Sequence, residues 1–292
     1  MSHMKINGVN LYVEDAGTGD PIIFAHEFGG DARSWQPQVT HFSSRYRCIT
    51  FNARGYPPSD VPADETLYGQ QIATNDLKGV LDALDIERAF VVGLSMGAYT
   101  GLMFAMQHPE RVHSLIFASG GSGAYPDTRQ QFLADSNALA DTMLQADSVD
   151  VSGISSGPSR VQLQNKNYKV WEQFAAHFSE HSAVGSAYTL RHVQAERPSL
   201  YELTDDLHAM TTPTLLVVGD EDESCLDVNL YLKRTMPYSG FSILPKSGHL
   251  LNLEEPERFN ALLDKFFQAI TAGQWSRRDP RSENVSAFGQ KT

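Results

Sequence analysis

Ala89-Phe90-Val91-Val92 leads directly into Gly93-Leu94-Ser95-Met96-Gly97, and a helical stretch over 96–108 follows, stopped by Pro109. A buried strand, then G-x-S-x-G, then a helix is the order that builds a nucleophile elbow. A serine hydroxyl attacks well only when it protrudes beside a base. A sharp strand-to-helix turn puts it there but crowds the backbone around it. Glycines at 93 and 97 remove the Cβ atoms that would collide. Gly97, Ala98 and Gly101 let the helix lie close to its strand. The helix N-terminus aims free N–H groups and the positive end of its dipole at the serine oxygen. Glycine and serine are common, so it is this context that separates a nucleophile from an ordinary Gly-Ser turn.

Outward from the elbow, the first half of the chain alternates strand and helix. Residues 6–14 alternate apolar and polar side chains, as an early hairpin strand does. Short apolar runs at 21–25, 47–51 and 112–118 read as buried strands. Asp31 can cap a helix reaching Phe42, and 67–84 carries Leu77, Val80, Leu81 and Leu84 on one helical face. Buried strands separated by amphipathic helices predict a mostly parallel, doubly wound α/β sheet covered on both faces. The rhythm breaks at Gly120-Gly121-Ser122-Gly123. Four helical stretches follow, at about 128–146, 159–165, 168–180 and 183–194. Strand and helix then resume at 213–218, 227–235, 241–244 and 256–272. The expected organisation is a core of residues 4–122 and 208–272, an inserted helical cap over 123–207, and a loosely ordered polar tail over 273–292. Met1-Ser2-His3 reads as a cloning remnant ahead of a natural start at Met4.

A serine nucleophile needs a base and a group to orient that base. Among 10 histidines, His249 stands out: it follows the last predicted strand in Lys246-Ser247-Gly248-His249. The orienting acid belongs after the strand at 213–218, where the loop reads Gly219-Asp220-Glu221-Asp222-Glu223. Four acids compete there, and composition does not choose among them.

With these pieces in order the chain resembles the α/β-hydrolase fold family, serine hydrolase branch. The matching residues are His26-Glu27-Phe28-Gly29-Gly30, Arg54-Gly55, Gly93-Leu94-Ser95-Met96-Gly97, Gly219-Asp220-Glu221-Asp222, and Ser247-Gly248-His249 with Glu254 and Pro256 behind. The resemblance covers about 5–272. It implies a catalytic trio of Ser95, Asp222 and His249, the acid standing fourth in its G-x-x-D loop, with Asp220 as runner-up. It also implies an oxyanion hole from the Phe28 and Met96 amides. Two positions depart from the pattern. Glu27 replaces a usual glycine; a carboxylate there would repel the charge being stabilised, so its side chain is expected to turn away into a polar network. Asn52 stands where aspartate is frequent and reads as structural.

The expected activity is cleavage of a carboxylic ester or lactone through an acyl-enzyme, with no cofactor. The alternatives are carbon–carbon hydrolysis of a diketone acid, with Arg191 or Arg197 holding the carboxylate, and a non-catalytic receptor of the same fold. Serine at the elbow disfavours the dehalogenase and epoxide-hydrolase branches, which generally use aspartate. His26, Trp171, Phe174, Phe178 and Tyr188 are the candidates to line a substrate pocket; the four aromatics read equally as the core of the cap. His177 and His181 have metal-ligand spacing but no third ligand, so no metal is expected.

The net charge of −12 argues against a basic nucleic-acid surface. No apolar run approaches the roughly 18–20 residues of a membrane span, and no secretory signal is visible. A cytoplasmic protein acting on a small molecule is expected. Cys48 and Cys225 cannot make a disulfide framework and read as buried structural thiols.

Overall fold

The computed structural model describes residues 2–283. Eight strands form one sheet: β1 (Ser2–Ile6), β2 (Val9–Ala16), β3 (Pro21–Ala25), β4 (Arg47–Phe51), β5 (Ala89–Leu94), β6 (Val112–Ala118), β7 (Thr214–Gly219) and β8 (Ser239–Leu244). Their order is β1-β2-β4-β3-β5-β6-β7-β8. The pairs β1–β2 and β2–β4 are antiparallel, and every later pair is parallel. The hairpin strand expected at 6–14 is the second arm, β2, of a hairpin whose first arm is β1, turned at Asn7 and Gly8, both with positive φ. An Asn-Gly pair suits the tight turn that matches strand twist. Ser2 and His3 pair in register with Val13 and Tyr12.

Alternate residues of each central strand face opposite ways, so the sheet needs cover on both sides. Ile22, Phe24, Phe90, Val92 and Ile116 pack with Trp35, Phe42, Phe259, Leu263 and Phe267, from Gln36–Phe42, Pro256–Thr271 and the turn before them. Ile23, Val91, Leu115 and Leu216 pack on the other side with Leu77, Leu81, Leu102 and Leu232. Those side chains come from Gln70–Ala83, Met96–Gln107 and Glu223–Thr235.

Between β6 and β7 the chain is helical. Pro126–Ala146, Val161–Lys166, Tyr168–Ser179 and Ala183–Tyr188 answer to the four stretches expected, and Val151–Ser155 and Thr204–Ala209 are additional. Ala183–Tyr188 continues into a π-helical stretch, Thr189–Ala195. Its wider turn has no signature in an apolar pattern of helical period. The first part of the tail is docked: Trp275 lies edge-on to Phe266 at 4.6 Å between centroids and donates its Nε1–H to the Tyr238 carbonyl at 2.8 Å. The indole covers Gly240, where no side chain competes for the space. Residues 284–292 of the tail lie outside those described.

Candidate active site

β5 ends at Leu94, and Ser95 turns the chain with φ 54° and ψ −109° into the helix Met96–Gln107. A positive φ costs a non-glycine residue energy and persists only when surroundings hold it. Here the Ser95 amide donates to Ala118 at 2.8 Å and its carbonyl accepts from Tyr99 at 3.1 Å. A Cβ on Gly93 would strike the Gly97 carbonyl, and one on Gly97 would strike those of Ala25 and His26. From 89 to 102, Ser95 alone is not buried. Its hydroxyl has no hydrogen-bond partner among the described residues. The G-x-S-x-G pattern recurs at Gly153-Ile154-Ser155-Ser156-Gly157. There Ser155 ends a helix, is buried, and donates to its own Val151 carbonyl.

His249 follows β8 in a loop pinned from behind. Glu254 accepts from the amides of Gly248 at 2.7 Å and Leu250 at 3.0 Å, one on each side of the histidine. The sequence marks Glu254 as part of the family resemblance, but its hold on the two amides is visible only in the folded chain. Of the four competing acids, Asp222 meets the imidazole: its Oδ2 lies 2.9 Å from His249 Nδ1, with both side chains buried. Asp220 accepts from the Ser247 amide at 3.2 Å, Glu221 pairs with Gln162 and Lys246, and Glu223 is exposed at a helix start.

Burial pulls the His249 pKa down, but the charge and hydrogen bond of Asp222 override it, so the net displacement is upward from 6.5. Burial likewise raises the Asp222 pKa, and the His249 charge overrides it, leaving the carboxyl below 3.8. Each partner favours the charged form of the other. Asp222, His249 and Cys225 form the one cluster of three potential metal-ligating groups among the described residues. The Cys225 thiol rests 3.2 Å from the Ser119 carbonyl. Both cysteines are buried and free.

The loop after β3 faces the elbow. Its Phe28 amide and the Met96 amide have no acceptor among the described residues. The neighbouring groups are occupied: Gly30 N–H donates to the Glu27 carbonyl, and Gly29 N–H to Glu27 Oε2 at 2.6 Å. The Glu27 carboxylate therefore turns back onto its own loop. There it meets Arg160 Nη2 at 2.7 Å, in an ion pair buried on both sides. Asn52 accepts from the Ala32 amide and donates to the Pro57 carbonyl, holding two loops together.

Ser95, His249 and Phe28 line one cavity of about 250 Å³, with Glu27, Arg160 and Gln194 also on its wall. Four residues apart on the π-helical stretch, Leu190 and Gln194 both reach it. None of the expected pocket residues does. His26 faces a separate cavity of about 40 Å³. There its Nδ1–H donates to the Glu27 carbonyl and its Nε2 accepts from the Ala53 amide, a strap between loops. Burial lowers its pKa, in keeping with a neutral ring. Phe178 is buried against Phe28 and Phe174, Tyr188 lies against Tyr68, and Trp171 donates to the Ser155 carbonyl. A helix buries its aromatic face against whatever covers it, and here that is the inside of the insertion and the core beneath. Arg160, which does line the cavity, sits ahead of a short helix with no motif to mark it.

A family model described as the alpha/beta hydrolase fold matches residues 20–256. The 3-oxoadipate enol-lactonase 1 of Acinetobacter baylyi is 26% identical over 85% of this chain and 89% of its own length. The 2-hydroxy-6-oxononadienedioate/2-hydroxy-6-oxononatrienedioate hydrolase of Paraburkholderia xenovorans is 27% identical over 88% of this chain and 90% of its own. A thermophilic esterase from Thermogutta terrifontis superposes with a TM-score of 0.77 at 25% identity, covering 92% of this chain and 99% of that one.

Proposed function

Since the chain belongs to the α/β-hydrolase fold family, we propose that it is a serine hydrolase cleaving a carboxylic ester or lactone. The observation that carries this reading is the 2.9 Å contact of Asp222 with His249 in the wall of the cavity that Ser95 enters. With Nδ1–H held by Asp222, the other ring nitrogen, Nε2, is left as the acceptor. It takes the Ser95 proton as Oγ adds to the carbonyl carbon. The negative oxygen that forms is met by the Phe28 and Met96 amides, fixed donors that are not consumed elsewhere. Each such donor is typically worth on the order of 100–1000-fold in rate. His249 then returns the proton to the leaving alcohol, and Ser95 keeps the acyl group. A water molecule deprotonated by His249 attacks the acyl carbon and releases the acid. The helical insertion serves as the lid of this cavity.

Carbon–carbon hydrolysis is the second reading, because a relative is named for a dioate. It calls for a cation to hold a substrate carboxylate. The two arginines expected to supply it are elsewhere. Arg191 pairs with Asp141 at the surface. Arg197 is buried over the Tyr99 ring with its Nη2 on the Ser122 carbonyl. Neither lines the cavity, which favours the ester. The test is Ser95→Ala with a panel of aryl esters and lactones beside vinylogous diketone acids. Turnover of esters should fall by several orders of magnitude, and a fluorophosphonate should label the wild type at Ser95 only. Equal labelling of Ser95→Ala would refute the assignment. A preference of more than about 100-fold for the diketone acids would move the reaction class and leave the nucleophile standing.

A further inference from the structure

Among the described residues lining the Ser95 cavity, one arginine or lysine appears, and it is neutralised. Arg160 reaches the wall from the insertion, and its Nη2 is spent on Glu27 Oε2 at 2.7 Å while Nη1 donates to Ser159 at 2.6 Å. The guanidinium also lies 5.8 Å from the Phe174 ring centroid. Glu27 is 1% exposed, and its second oxygen, Oε1, has no partner. Its charge is therefore shared with one guanidinium and one amide only. The other charged groups on the wall are His249, balanced by Asp222, and Asp135, which is exposed and negative. The remaining polar wall is uncharged, including Ser122, Ser136 and Gln194. A carboxylate entering this cavity gives up part of its hydration, finds only a guanidinium whose charge is already paired with Glu27, and meets the negative charges of Glu27 and Asp135. Desolvation without a partner is costly for a charge.

We propose that Glu27 and Arg160 form the specificity-determining pair of this cavity: Glu27 cancels the guanidinium, so that uncharged acyl chains are accepted and carboxylate-bearing ones rejected. The inference rests on the reading of the Ser95 cavity as a hydrolase site and adds the substrate class. A residue without a carboxylate at position 27 would leave the Arg160 guanidinium unpaired. Charge selection is thus set by one residue on the oxyanion loop and read out 133 positions away on the insertion.

The test compares 4-nitrophenyl valerate with 4-nitrophenyl hemiglutarate, which differ chiefly by a terminal carboxylate. Wild type should prefer the valerate. Glu27→Gln keeps an acceptor for the Gly29 amide and removes the charge. The ratio of kcat/KM for hemiglutarate to that for valerate should rise about tenfold or more, as a charge-assisted contact with Arg160 becomes available. In Glu27→Gln/Arg160→Gln the ratio should fall back. Arg160→Gln alone leaves Glu27 unpaired, and the ratio should drop below wild type; that variant carries the test if Glu27→Gln does not fold. Binding of 5-oxohexanoate, which keeps the carbonyl and the carboxylate but has no ester bond to cleave, supplies by calorimetry a readout without turnover, and Glu27→Gln should tighten it about tenfold. A ratio and an affinity within about threefold of wild type in the variants would overturn the pair's role. Absence of Ser95-dependent turnover of either ester, with the binding shift intact, would instead overturn the hydrolase reading.

Discussion

Gly97→Ala adds one methyl group at the place where the elbow meets the oxyanion loop. The new Cβ would lie 2.7 Å from the His26 carbonyl oxygen and nearer still to that of Ala25. Carbon–oxygen contacts are comfortable from about 3.3 Å, so relieving the His26 contact takes about 0.6 Å and relieving the closer Ala25 contact takes more. Both are backbone, one anchored in β3 and the other in the helix Met96–Gln107, so no side chain can rotate out of the way. Overpacking typically costs 1–3 kcal/mol, and with backbone on both sides we expect about 3 kcal/mol. In a domain of this size that is a fall in Tm of about 6–12 °C. The same displacement carries the Phe28 amide away from the Ser95 carbonyl-binding position, and errors approaching 1 Å cost on the order of 100-fold in rate. The control is Gly153→Ala, in the helix Val151–Ser155, where a Cβ meets nothing within 4 Å. Relief of glycine's entropy cost should make that change neutral to stabilising by about 0.5 kcal/mol. Calorimetric melting and initial rates on one ester read both. A Gly97→Ala protein within about 2 °C of wild type, or within threefold of its rate, would refute the close-approach argument.

Asp222→Asn should keep the fold and lower kcat by about 10⁴, because the amide no longer selects the Nδ1–H tautomer; Asp220→Asn, which loses one contact to the Ser247 amide, should change the rate far less, and steady-state kinetics of the two variants checks both. The base must be neutral to act, and its pKa is displaced upward, so kcat/KM should rise with pH through a midpoint above 6.5, not at the ordinary histidine value; a midpoint at or below 6.5 would contradict the dominance of Asp222 over burial. In Asp222→Asn the carboxylate charge is gone and burial is opposed only by the neighbouring Cys225, so the midpoint of the residual activity should move to the acid side of that of wild type. The sign for stability follows from the same pair. The raised His249 pKa stabilises the fold below 6.5 and loses that contribution as pH climbs through the folded value. The lowered Asp222 pKa stabilises above 3.8 and is lost as acid protonates the carboxylate. Urea unfolding across pH should therefore show the pair contributing most between those limits, and no such difference between wild type and Asp222→Asn would count against it.

The elbow was legible in the chain because its requirements are local. Gly93 and Gly97 are needed where carbonyls of adjacent segments come closest, and a strand buried on both faces has to be a continuous apolar run. The same reasoning reached the parallel sheet, its order of motifs and the loop bearing His249. Asp222 was separable from Asp220 in the sequence only through the family's loop spacing; in the folded chain the 2.9 Å contact with His249, 27 positions away, makes the distinction. The insertion resisted reading for a related reason. Helical periodicity says which face of 168–179 is apolar but not what covers it, and Phe174 and Phe178 turned out to bury themselves beside Phe28 instead of lining the cavity. Trp275 was silent until Gly240 and Phe266 stood beneath it. Glu27 could be seen as an anomaly, and its turning away from the oxyanion site could be expected from electrostatics alone. That its partner is Arg160 was decided by how the insertion folds back over the sheet, because a charge specifies that a counter-charge must be near but leaves open which of many arginines the tertiary structure will bring.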